Sequence, residues 1–135
     1  DAAFKILISP TPIVGPDREN KNDNHANEGF TWEGDQVRKF LGAQKNTFVI
    51  CGDRHWQYAS VHPETGVREY SAGAGSDMHA SGFKYSLRTE AHKFLRIEGG
   101  FLSVSVKRKD DIPQITLTHH DVDGNRVNRE VFASE

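Results

Sequence analysis

Residues 47–60 read TFVICGDRHWQYAS, and the rest of the chain is interpreted outward from them. Thr47 to Cys51 form a short, nearly continuous apolar run, which predicts a strand covered on both faces. Gly52 then releases the backbone, and Asp53, Arg54, His55 and Trp56 follow at once. An acid, a base and an imidazole therefore stand together where the chain leaves its core.

On the N-terminal side, Phe4, Ile6 and Ile8 alternate with Lys5 and Leu7, predicting a strand over Phe4–Ser9. Pro10 and Pro12 end it, because proline lacks the N–H a ladder needs. Residues 15–28 are almost wholly polar, a long irregular connection of the kind that is functional or disordered. Val37, Phe40 and Leu41 stand at i, i+3 and i+4, predicting a helix over Glu33–Ala43 with that stripe inward. On the C-terminal side, strands are expected at Gln57–Val61 and Val67–Tyr70, joined by the turn-like HPETG. A second irregular stretch covers 72–92. Strands then follow at Phe94–Ile97, Phe101–Val106, Ile115–Thr118 and Arg126–Phe132. Asp123-Gly124 marks a hairpin between the last two, since glycine accepts positive φ.

A length of 135 residues suits one domain with a real core, spanning 1–135. The apolar fraction is only 36%, so much of the chain is loop or solvated face. A net charge of −2 provides no basic field for nucleic acid, and no Lys/Arg block suits a membrane surface. No long apolar segment or signal-peptide pattern occurs, and the chain reads as soluble. Cys51, the single cysteine, closes an apolar run and reads as inert packing.

Asp53 and His55 lie two apart at a strand end, from where both side chains can reach one point. Carboxylate oxygen and neutral imidazole suit a cation such as Zn, Fe, Mn or Ca. Gly52 leaves that point uncrowded and Trp56 shields it from water. The competing reading is a plain strand terminus with a solvated Asp-Arg pair. His25, in KNDNHANE, is either part of a loop folded over a site or a surface residue among turn-forming Asn and Asp. AGAGSDMHASG fails the GxGxxG pattern at Met78, so its glycines serve bends or close approach; Asp77 and His79 repeat a D-x-H spacing. His119 and His120 are adjacent and face opposite sides of a strand. No G-x-S-x-G elbow is present.

Taken in order, ISPTPIVGPDR, KNDNHANEGF, FVICGDRHWQ, YSAGAGSD and DGNRV resemble the C-terminal half of PhoD-like (alkaline phosphatase D type) metallophosphoesterases. These belong to the calcineurin-like superfamily, where a G-H-x-H segment after a core strand binds metals. In the PhoD-like branch aspartate replaces the first histidine, as in Gly52-Asp53-Arg54-His55. The resemblance implies Asp53 and His55 as metal ligands, with two divalent or trivalent ions (Fe, Zn, Mn or Ca) in the intact enzyme. It further implies that the loop with Asn24 and His25 lies over the same site. Arg54, His25 and Asn24 would then bind or stabilise phosphate oxygens while a metal-bound hydroxide attacks phosphorus.

Other superfamily ligands come from D-x-H, G-D-x-x-D and G-N-H segments, and this chain lacks them in those places. The expectation is therefore the C-terminal portion of a phosphoric ester hydrolase, inactive alone, whose partners are a small phosphate ester and the missing N-terminal half. The implied fold is α/β tending to β-rich, part of a calcineurin-like two-sheet sandwich with one main helix. An uncovered half exposes apolar sheet and is open to self-association. PhoD-like relatives are often exported, which favours a periplasmic or secreted location. The rival expectation is a non-catalytic β-rich binding module, with Trp32 and Trp56 as its contact surface.

Overall fold

Thr47–Cys51 forms strand β2, one of the inner strands of a five-stranded sheet in the computed structural model, which describes residues 2–135. β1 (Lys5–Ser9) lies parallel on one side of it, and β4 (Arg68–Ala72) lies parallel on the other. β3 (Gln57–Val61) and β5 (His92–Arg96) extend the sheet with antiparallel pairing, giving the order β1-β2-β4-β3-β5. A second sheet is built from β6 (Gly100–Lys109), β7 (Ile112–Asp121) and β8 (Arg126–Ala133), all antiparallel. One helix, α1 (Thr31–Gly42), crosses between β1 and β2. The architecture is the expected β-rich arrangement with one main helix.

Both faces of β2 are closed, as its apolar run implies. Phe48 packs with Tyr70, Ile115 and Leu117 between the sheets. Val49 points the other way, onto Leu41 of α1, Val67 and Ile13. A third cluster, Cys51, Trp56, Tyr58, Phe83 and Leu95, involves the 72–92 stretch. The second sheet stops short of β1. Ile6 and Ile8, on the same sheet face as Phe48, remain 39% and 78% exposed.

The helix stripe differs from expectation. Phe40 is 66% exposed, and the buried positions are Gly34, Arg38 and Leu41, with Val37 packed beside them. An arginine takes the core position because it ties down backbone. Arg38 Nη1 donates to the carbonyls of Ile13 (2.7 Å) and His25 (2.6 Å), and Nη2 donates to Asp35 at 2.7 Å. A side chain at Gly34 would collide with the His25 carbonyl and the Arg38 guanidinium.

The same loop is held from the sheet side by Glu69 of β4, which is fully buried. Its Oε2 accepts the N–H groups of Ile13 (2.6 Å) and Val14 (2.9 Å). Its Oε1 accepts Gly15 N–H (2.9 Å) and the Tyr58 hydroxyl (2.7 Å). Burial pushes this carboxyl above its usual range, and the three amides and the Tyr58 hydroxyl offset only part of that rise. Four donors and no acceptor surround it, a geometry suited to the ionised form. Tyr58 in turn contacts Cys51 Sγ at 3.2 Å, and burial pushes the thiol well up, in keeping with packing.

His119 and His120 face opposite ways. His120 stacks on Phe101 (4.6 Å) at the surface, while His119 is fully buried against Phe94 (4.8 Å). His119 Nε2 donates to the Ser71 carbonyl at 3.0 Å, and burial pulls its pKa down to about 4.

Glu69→Gln replaces an acceptor with an amide that meets donors only, and is expected to cost about 3 kcal/mol in urea unfolding. Tyr58→Phe is expected to cost about 1–2 kcal/mol in the same assay. His119 sets an acid dependence. Its folded pKa lies below the value of 6.5 for a free imidazole, so the unfolded chain binds the proton first. Its contribution is complete above pH 6.5 and is lost as pH falls toward 4, by about 3 kcal/mol at most. Urea titrations at several pH values should show a shallower acid slope for His119→Gln than for the parent.

Candidate functional site

The chain leaves β2 through a strained turn. Arg54 N–H donates to the Gly52 carbonyl at 2.8 Å, closing a three-residue γ-turn on Asp53, whose φ is 64°. A non-glycine residue held there costs about 1–3 kcal/mol and recurs at functional sites. The turn rotates Arg54 inward, to 3% exposure, and leaves Asp53 and His55 outward. The turn, and not strand alternation, sets both residues on the wall of one cleft. The missing Cβ of Gly52 makes room for the Pro10 carbonyl, which would lie 3.3 Å away.

Arg54 is surrounded by carboxylates. Nη2 lies 2.7 Å from Asp17 Oδ2 and 2.8 Å from Asp23 Oδ1, and Nη1 pairs with Asp53. Asn24 Nδ2 donates to both Asp17 and Asp23 at 2.9 Å, and its Oδ1 accepts Ala26 N–H at 2.9 Å. These bonds from Asn24 and Arg54 hold the Asp23 carboxyl below its usual range. Arg54 is thus a clamp that joins the polar loop to the turn. Its own charge is neutralised from three directions.

Asp53 and His55 border one cleft of about 190 Å³, together with Arg18, Lys21, Trp56 and Gly82. Trp56 is a wall of that cleft and only 1% exposed, stacked on Phe83 at 4.8 Å. Such burial removes it from any contact surface of the rival kind. The Arg18 guanidinium lies over the Trp56 ring at 5.0 Å. The His55 carbonyl accepts Ser81 N–H at 3.2 Å, tying the 72–92 stretch to the turn.

Asn24 and His25 do not line this cleft. Asn24 is buried and engaged as above. His25 lies in the loop before α1 and packs against the first turn of the helix, with Nε2 3.3 Å from Glu33 and its ring near Phe30. The polar loop does reach the site, but through Asp17, Arg18, Lys21 and Asp23. Arg18 and Lys21 were not legible as site residues; their only signal is two cations in a long polar loop that follows Gly15-Pro16. Asp77 and His79 do not act as a pair. Asp77 accepts Gly99 N–H at 2.8 Å, and His79 Nδ1 meets Ser76 Oγ at 2.9 Å. Gly73 does permit close approach, as its Cβ would come 2.6 Å from Gln57.

The donors match a borderline metal in kind but not in number. Among the described residues no group of three or more His, Cys, Asp or Glu side chains is placed to hold an ion. Asp53 and His55 are two donors, and one zinc takes about four. No known protein-family pattern and no curated protein matches this chain.

Arg54→Met would take from Asp17, whose side chain is 1% exposed, its nearest cation, leaving the Asn24 amide and the more distant Arg18 Nε at 3.5 Å. The expected loss is about 3–5 kcal/mol in chemical denaturation, with partial recovery in Arg54→Lys.

Proposed function

We propose that this chain is the C-terminal portion of a PhoD-like metallophosphoesterase, with its strands part of a calcineurin-like two-sheet sandwich. The reaction is hydrolysis of phosphomonoesters or phosphodiesters. The observation that carries the reading is the strained turn at Asp53, which presents a carboxylate and an imidazole to one cleft beside two cations. A strained non-glycine residue at the end of a buried strand favours a site over a plain corner.

Asp53 and His55 would hold metal (Fe, Zn, Mn or Ca), and bound metal supplies Lewis acidity toward water and the phosphoryl group. Arg54 orients Asp53 from behind, as outer partners of metal ligands do. The remaining donors come from polypeptide outside these 135 residues. The open edge of β1, with Ile6 and Ile8 uncovered beside it, offers such polypeptide an apolar place to pack.

A second reading, a non-catalytic interaction module, draws support from Trp32 and Phe40. They lie eight residues apart on α1, hence on one side, and are 78% and 66% exposed. Metal analysis of the protein extended toward its N-terminus separates the two readings.

In that extended protein, His55→Ala is expected to lower turnover of a chromogenic phosphate ester at least about 100-fold and to reduce bound metal. Asp53→Gly sharpens the test. It relieves the positive φ while losing a half-exposed ion pair, so stability should stay within about 1 kcal/mol of the parent. Activity should nevertheless collapse. Unchanged metal content and rate in both variants would refute the assignment. The 135-residue chain by itself should show no turnover with added metal.

A further inference from the structure

Three hollows meet at Arg18. One is the Asp53–His55 cleft; a larger one, about 540 Å³, runs past Gly82 and Phe83 to Lys84 and Leu87. A third, about 370 Å³, continues beyond Leu87 to Arg88. Arg18 is held at the junction by the Trp56 ring, 5.0 Å below its guanidinium. Gly82 has φ +92°, and a Cβ there would come 2.9 Å from Arg18 Nη1 and 3.7 Å from the indole. The bare backbone at Gly82 thus leaves the stacked guanidinium its space. Its single ion pair among the described residues is through Nε, to Asp17 at 3.5 Å. The terminal nitrogens therefore remain for a ligand.

A guanidinium fixed by an aromatic face and offering its terminal N–H groups is a receptor for a planar or tetrahedral oxyanion. Lys21 on the cleft side of Arg18, Lys84 on the other and Arg88 beyond stand against Asp17, Glu19 and Asp53, and since Asp17 and Asp53 are both paired with Arg54, cations predominate at the junction. Beyond the cation the larger hollow changes character. Phe83 and Leu87 line it, and Leu87 is 48% exposed there. Charge at one end and exposed hydrocarbon at the other select an amphiphilic anion.

We infer that Arg18 binds the phosphate group of an organic phosphate ester whose aryl or alkyl substituent lies along Phe83 and Leu87. This deepens the phosphoesterase reading by naming the substrate class, and rests on that reading only for phosphate as the anion. Arg18 and not the neutralised Arg54 is then the cation that meets substrate.

The test uses the 135-residue protein carrying Trp32→Phe, so that Trp56 is the sole remaining indole and reports ligand by fluorescence. Chelator is present throughout, and calorimetry provides a second readout. Phenyl phosphate is expected to bind saturably with Kd on the order of 1 mM. Inorganic phosphate and benzoate should bind at least about 5-fold more weakly, and phenol should not saturate. Arg18→Gln should weaken phenyl phosphate at least about 10-fold, with Arg18→Lys between the two. Leu87→Ser, at a surface position, should weaken phenyl phosphate severalfold and leave inorganic phosphate unchanged. Equal phenyl phosphate binding by parent and Arg18→Gln, or tight binding of phenol, overturns the inference; benzoate matching phenyl phosphate overturns its phosphate specificity. The two readings fail separately. If His55→Ala in the extended, metal-loaded protein hydrolyses ester normally while Arg18→Gln abolishes binding, the metal assignment falls and the Arg18 site stands. If Arg18→Gln binds and hydrolyses like the parent while His55→Ala is inactive, the reverse holds.

Discussion

The grip of one buried carboxylate on three consecutive amides underlies the rest of this structure. Glu69 takes the N–H groups of Ile13, Val14 and Gly15 from the sheet side, while Arg38 of α1 takes the carbonyls of Ile13 and His25 from the helix side. A loop this polar has little apolar surface with which to fix itself. Its conformation is set by opposite charges applied to its own backbone dipoles, in a region where water does not compete. Without that grip, neither Asp17 nor Arg18 would have a defined position.

From the fixed loop the order passes to the turn after β2. Asp17, two residues past Gly15, meets Arg54, and Arg54 meets Asp53. A positive φ at Asp53 is tolerated because the guanidinium behind it and the γ-turn hydrogen bond over-determine the conformation. The two arginines at the site are thereby divided in purpose. Arg54 is enclosed by carboxylates and organises the backbone; Arg18, supported by an indole and less than fully paired, faces the open cleft.

Several departures from the sequence reading share one cause, which is that local patterns do not reveal a distant partner. A helical stripe of Val37, Phe40 and Leu41 looks sound, yet Phe40 is outside, because Arg38 carries backbone contacts that no apolar residue can replace. The β6–β7 hairpin went unseen as such because Asp110-Asp111 carries no glycine, although both aspartates adopt positive φ, 52° and 64°. By contrast the β7–β8 hairpin was marked by Asp123-Gly124, where Gly124 has φ 85°.

The amino-acid sequence alone determined the strand at 47–51, its burial on both faces, the main helix, the β-rich C-terminal part and the break in regular structure at Asp53-Arg54-His55. These follow from side-chain periodicity and glycine placement, which act over a few residues and need no partner to be read. Only the tertiary structure decided which side chains share the cleft. Asn24 and His25 are turned to other tasks, and Arg18 and Lys21 arrive from a loop with no periodicity, because that loop takes its shape from Glu69 and Arg38, located 56 and 25 residues away from Ile13. Long-range charge on backbone, unlike an apolar stripe, leaves no repeat in the sequence to be found.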